Sequence, residues 1–294
     1  MVTGDQELIR AGLRQLSGLN RYDHTVPRGA QTWEVPLHTP DILAAAYLVR
    51  AYTLGYEITG DVSLLARARD WAWSGLPFVY LVNPTRQEMG PYAGTAVFGA
   101  TQWVAPDWMG QPVQWCALVY ADALYRLVRH DPGGPWQQVA RGLTASGIQQ
   151  TFPRNEPDLA GLLPDSINLR PQTRNGAAIN PGTVQANAVR FYTGSGLYDF
   201  RAFREAGLYV HVAGTITSSR ETADGVLFLV KAWLAKPYYL LVSGLKSMPR
   251  VRVNGRSVVN TDSAEWHPEA RILILRVQGN PRIELRLSGS ELKQ

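Results

Sequence analysis

Cysteine is nearly absent. Cys116 stands alone, so no disulfide can close within the chain, and its place in an apolar run suits a small core residue better than a nucleophile. Lysine is scarce too: it occurs only at Lys231, Lys236, Lys246 and Lys293, so arginine carries most of the positive charge. No run of like charge accompanies the formal net charge of +5, and the footprint of a nucleic-acid binder is missing. No apolar stretch reaches membrane-spanning length, so no membrane partner is expected. The opening residues, MVTGDQELIR, lack the charged and apolar regions of a secretory leader. That leaves the compartment open: cytoplasmic, or exported under a signal outside this sequence. No histidine pair has helical ligand spacing, and neither a glycine-rich phosphate loop nor a nucleophile elbow occurs. Neither a metal nor a cofactor is therefore expected.

What is present is apolar and aromatic. Of 294 residues, 45% are hydrophobic and 18% charged, the balance of a globular chain with room for one large domain or two ordinary ones. The richest stretch is PYAGTAVFGATQWVAPDWMGQPVQW, from Pro91 to Trp115. It sets Tyr92, Phe98, Trp103, Trp108 and Trp115 among glycines and prolines, with Gln102, Asp107, Gln111 and Gln114 between the rings. Indole area left in water is costly, so a loop this rich in tryptophan either fills a core or presents rings to a ligand. Flat aromatic faces beside amides and carboxylates match the C–H faces and hydroxyls of a sugar.

The flanking pattern is helical. An amphipathic helix is expected over about Asp5 to Leu19, with Leu8, Ile9, Leu13 and Leu16 on one face. A loop holding Tyr22, His24, Trp33, Glu34 and His38 follows. Asp41 then caps DILAAAYLVRAYTLGYEI, which is apolar on nearly every side and reads as buried all round. Asp61 caps VSLLARARDWAWSG, an amphipathic helix with Leu64, Leu65, Ala68, Trp71 and Ala72 in its stripe. The pair then repeats as QPVQWCALVYADALYRLV and PWQQVARGLTASGIQQ, with Asp131 in the turn that matches Asp61. Repeated inner-then-outer hairpins predict an α/α toroid. Turns within the hairpins are short, and the connections between hairpins are long. In antiparallel hairpins all the long connections emerge at one end, so the loops holding Trp33, Trp103 and Asp165 are expected to share one rim.

Past about Phe191 the texture changes to short runs rich in β-branched and aromatic residues: LYVHVAGTIT, VLFLVKAWL, YYLLVSG, RVRVNGRSVVN, RILILRV and RIELRL. Asn254-Gly255 is a two-residue hairpin signal. The expected organisation is α+β: an α/α-toroid-like domain of helical hairpins over 1–195, whether complete or incomplete, and an antiparallel β-sandwich over 196–294.

With those elements in view, the hairpin phrases YEITGDVSLLARARDWAWSGLPF and WCALVYADALYRLVRHD resemble the repeats of the six-hairpin glycosidase group. The order of domains is similar to heparinase-type polysaccharide lyases and to glycoside hydrolases with a trailing sandwich. The resemblance is architectural and assigns no catalytic residue. It implies a carbohydrate-active protein whose partner is a poly- or oligosaccharide. Two clear hairpins stand where six complete a toroid, so the chain resembles a C-terminal half, or a protein that fills its barrel by oligomerising.

Glycoside hydrolysis commonly uses two carboxyl groups. Glu34, beside Trp33 and before Val35-Pro36, and Asp107, between Trp103 and Trp108, are the candidate pair, with His38 a third catalytic candidate. Equally open for Glu34 is a salt bridge to Arg28, and for Asp107 an N-cap or Asx-turn after Pro106. Trp33, Tyr92, Trp103, Trp108, Gln114 and Asp165 are the candidate substrate contacts. Glu156 and Asp158 are further rim carboxylates. The alternative chemistry is a lyase acting on a uronic acid polymer, drawing a base from His24, His38, Tyr22 or Tyr92 and a cation from Arg28 or Arg174. A non-catalytic glycan-binding or assembly module is the third reading.

Overall fold

The computed structural model describes residues 2–26, 40–97, 108, 110–179, 182–222, 224–258 and 262–287. The fold is α+β, with helices in the N-terminal part and antiparallel sheets in the C-terminal part. The chain divides into two compact units. One gathers Gly18–Tyr56 and Gly60–Phe191. The other gathers Met1–Ser17, Glu57–Thr59 and Tyr192–Gln294. Helix α1 (Gln6–Gly18) thus groups, up to Ser17, with the strands, although the sequence reading runs it with the other helices. Its anchors are specific: Gln6 Nε2 donates to the Tyr209 hydroxyl at 3.4 Å, and Gly4, at φ +70°, lies directly against Gly244. Ile9 and Leu16 are buried, whereas Leu8, read on the same face, is 60% exposed.

The helical unit holds two hairpins: α2 (Ile42–Thr59) with α3 (Val62–Gly75), and α4 (Gln114–Leu127) with α5 (Trp136–Gln150). Asp41 caps α2, accepting from Leu43 N at 2.5 Å and Ala44 N at 3.0 Å, and Asp61 caps α3 through Ser63 N. Gly60 ends α2 in the left-handed region. Asp131 does a different job from Asp61. It accepts from Trp136 Nε1 at 2.6 Å and pairs with Arg69 of α3 at 3.1 Å, so the turn of one hairpin is clamped to the outer helix of the other. The Trp73 and Trp136 rings meet edge to face beside it, centroids 4.9 Å apart. Tyr120 of α4 donates to the Ala72 carbonyl and passes over Gly75, where a Cβ would collide with its ring. Helix α2 is not buried all round: Tyr47 and Arg50 form a strip open to solvent. Helix α6 (Gly182–Thr193) closes the unit, with Asn187 Nδ2 bonded to the Leu118 carbonyl.

The segment before α6 contains a β-hairpin, β1 (Leu163–Asn168) and β2 (Thr173–Ile179), where the sequence suggests only loop. Pro164, Gly176 and a polar face hide the period-two signal that marks a strand.

The other unit is a sandwich of two antiparallel five-stranded sheets. One has the order β10-β11-β7-β4-β3 and the other β5-β6-β12-β8-β9. The ranges are β3 (Asp199–Phe203), β4 (Leu208–Val212), β5 (Thr215–Thr222), β6 (Gly225–Lys231), β7 (Tyr238–Ser243), β8 (Arg250–Val253), β9 (Arg256–Ser257), β10 (Ala264–His267), β11 (Ile272–Val277) and β12 (Arg282–Arg286). Alternate residues such as Val210, Leu240, Leu273, Phe228 and Ile283 fill the space between the sheets. Asn254 and Gly255 both take positive φ in the two-residue turn that joins β8 to β9. Asp199 ties the sheets together, its Oδ2 accepting from Ile216 N of β5 at 2.8 Å.

Candidate functional site

The described residues of the second and third long connections meet, and the start of α2 joins the second, through the Asp41–Val97 bridge and Ile42 N to the Ala96 carbonyl. The second and third are joined at more points, mostly by glutamine side chains that bond to backbone. The Gln172 amide both accepts from Met89 N at 2.7 Å and donates to Met89 O at 2.9 Å. Gln149 donates to the Glu88 carbonyl, and Gln111 accepts from Leu169 N. Ile167 N reaches the Pro112 carbonyl at 3.0 Å. Beneath them Gln114 is 1% exposed, and all four of its amide positions are used. It accepts from Gly94 N and Gln150 Nε2 and donates to the Tyr92 and Leu143 carbonyls.

At this junction stands Asp165. Trp108 Nε1 donates to its Oδ2 at 2.9 Å, and Trp115 Nε1 lies 3.4 Å from its Oδ1. The two indoles are T-shaped, centroids 6.2 Å apart, and all three side chains are half-buried. Trp115 is fixed by the first turn of α4, with its ring packed against Leu118, Leu163 and Val184. Asp165 is aimed by a bulge: β1 and β2 slip register so that Gly176 and Ala177 stand opposite Asp165. Gly176 has φ +74°, and a Cβ there would come within 2.8 Å of the Asp165 Cβ. Bulges of this glycine type re-aim side chains and are common beside active sites. An indole N–H can only donate, so Asp165 is held as an acceptor, with lone pairs left over for the hydroxyls of a ligand.

The other candidates fall in several places. Trp33, Glu34, His38, Trp103 and Asp107 lie outside the described residues, as does Arg28. Tyr92 takes an unusual φ of 56°, with its ring laid on Gly142 of α5 and its hydroxyl accepting from Gln138. Gln114 holds loop to helix from inside the bundle. Glu156, Asp158 and His24 are on the surface, and the Tyr22 ring carries the Arg21 guanidinium, 4.8 Å away. Arg174 is committed to the C-terminal end of α5, donating to the Gln150 carbonyl at 3.1 Å and the Thr151 carbonyl at 2.7 Å. Trp115, noted in the sequence but not chosen as a contact, and the bulge at Gly176 complete the Asp165 site. Only the seven-residue spacing of Trp108 and Trp115, with one in a loop and one opening a helix, hints at the pairing.

Among the described residues no group of three or more His, Cys, Asp or Glu side chains is placed to hold a metal ion, and no helix is long and apolar enough to cross a membrane. No family model matches the chain, and no curated protein matches it. Among solved structures the chain is similar to a GH127 β-L-arabinofuranosidase from Geobacillus stearothermophilus T6, at 12% identity and a TM-score of 0.34. The match covers 84% of this chain and 42% of that one, so this chain spans less than half the length of that structure. A likeness of this order says nothing of activity.

Proposed function

We propose that the helical unit binds a glycan at the Asp165 rim and hydrolyses a glycosidic bond there, as part of an α/α toroid. The observation that supports this reading is the half-buried Asp165 carboxylate, fixed by two indole N–H groups where the long loops join. The indole faces offer the apolar surface on which a sugar ring stacks, and the carboxylate offers acceptors to its hydroxyls. Hydrolysis uses a second carboxyl group across the scissile bond, and Asp107, adjacent in sequence to Trp108, and Glu34 are the candidates. Commitment of Arg174 to a helix end removes one cation from the lyase scheme, and hydrolysis is favoured for that reason.

The test is incubation with neutral and uronic polysaccharides, following new reducing ends and the absorbance of the unsaturated product that only a lyase makes. New reducing ends without that absorbance, reduced by about a hundredfold or more in Asp165→Asn, are expected. Unchanged activity in Asp165→Asn, an unsaturated product, or no cleavage of any substrate would each overturn the reading.

A further inference from the structure

The outer face of the first sandwich sheet carries a depression of about 480 Å³, lined by residues of that unit alone. Its floor follows one register row: His211 of β4, Leu241 of β7, Ile274 of β11 and Glu265 of β10 are consecutive cross-strand partners. One row further along the ladder, Tyr198 and Tyr239 rise on either side of Ala213 and line the same depression. The register places these tyrosines on strands separated by β4, two strand spacings or about 10 Å apart. Tyr198 is 45% exposed and Tyr239 62%, an unusual exposure for large rings flanking an apolar floor. Tyr198 is fixed by its hydroxyl, 2.6 Å from His211 Nδ1. Glu265 lies at the rim, 3.0 Å from His267 Nε2.

We propose that this depression is a second glycan site, which takes one neutral sugar ring between Tyr198 and Tyr239. The Tyr198 ring leans over β4 to reach His211, and the depression left between it and Tyr239 receives one flat ring against the two aromatic walls. The volume lies in the usual range of small-molecule sites. Glu265 and the tyrosine hydroxyls supply hydrogen-bonding partners at the edge of the depression, and His211 holds the Tyr198 hydroxyl in place. The lining holds a carboxylate and neither lysine nor arginine (Arg276 of β11 is the cross-strand partner of Tyr239 but lies outside the lining), so an acidic sugar is disfavoured. Two walls make a slot and not the multi-sided aromatic cage that holds a quaternary ammonium group.

The site is independent of Asp165, and titration calorimetry separates the two. Xylo-, manno-, cello- and arabino-oligosaccharides, oligogalacturonate and tetramethylammonium are titrated into the full chain, into Asp165→Asn, and into Asp165→Asn carrying Tyr239→Ala or Glu265→Gln. Tyr239 and Glu265 are exposed, so neither change threatens folding. The expected result is that a neutral oligosaccharide binds Asp165→Asn and that adding Tyr239→Ala weakens it about tenfold or more. Glu265→Gln should weaken it by a smaller factor, and oligogalacturonate should not compete. Absence of neutral-sugar binding in Asp165→Asn, undiminished affinity after Tyr239→Ala, or saturable binding of tetramethylammonium in place of sugar would overturn the proposal. Loss of hydrolysis in Asp165→Asn with this binding intact leaves both sites standing.

Discussion

Gln114→Leu puts the clearest number on the scaffold of the rim. Leucine has a similar volume and helix propensity, so the change isolates the amide. The four bonds are not equal. Gly94 N–H has Gln114 Oε1 as its acceptor at 2.9 Å, and it is buried against α4, where even a Cβ on Gly94 would strike Ala117. Stranding a buried donor costs about 1–3 kcal/mol. Gln150 Nε2 keeps Ser146 Oγ at 3.0 Å, and the Leu143 carbonyl still lies within α5. Those losses, with the 3.3 Å bond to the Tyr92 carbonyl, are at the low end, about 0.5–1 kcal/mol each. Added apolar contact returns part, and the expected net loss is about 3 kcal/mol. Urea unfolding followed by tryptophan fluorescence measures it, because among the described residues Trp71, Trp73, Trp108, Trp115 and Trp136 belong to the helical unit. Hydrogen exchange at Gly94 should rise in parallel. A loss below about 1 kcal/mol, or unchanged protection at Gly94, would refute the assignment of Gln114 as the post between loop and bundle.

Three further outcomes are expected. Gly176→Ala forces an L-residue into left-handed backbone at a cost of about 1–2 kcal/mol and pushes its Cβ onto Asp165; the indole N–H resonances of Trp108 and Trp115 should move upfield, while Ala177→Gly leaves them in place. Asp131→Ala removes the partner of both Arg69 and Trp136 Nε1 and should lower the urea midpoint by an amount equivalent to about 2 kcal/mol, whereas Asp131→Asn, which keeps an acceptor for the indole, should lose about half of that. Burial pushes the Tyr238 hydroxyl up to about 12, above the unfolded value near 10. The protonated form therefore favours the folded state, its contribution is complete below pH about 10, and it is lost as the pH rises toward about 12. Tyrosinate absorbance in alkaline titration should lose one late-titrating group in Tyr238→Phe, while those of Tyr52, Tyr80, Tyr120 and Tyr125, which burial also raises, remain.

The parts of the fold that were legible are those with a strong period. The four hairpin helices follow from their apolar spacing and from Asp41 and Asp61 as caps. The strands follow from runs such as VLFLVK and from Asn254-Gly255. Two things were not legible. The first helix carries a readable apolar face but no sign of which unit it covers, because Tyr209 and Gly244, its partners, are more than two hundred residues away. The β1–β2 hairpin has its register set by a glycine bulge and carries too few apolar residues to show period two. With it went the pairing of Asp165 to Trp108 and Trp115, which depends on where that hairpin lands and not on local composition. Asp165 and Trp108 were nonetheless singled out, since a carboxylate in a long polar connection and an indole in an irregular loop each demand a partner.

The glutamines that join the loops have an evolutionary corollary. Gln111, Gln149 and Gln172 address peptide groups, and a peptide group is the same whatever side chain it bears. An exposed residue such as Glu88 can therefore be exchanged without loosening the loop that carries it. The frame can hold its shape while the identities displayed on it drift, and a change of ligand preference would not require a change of architecture.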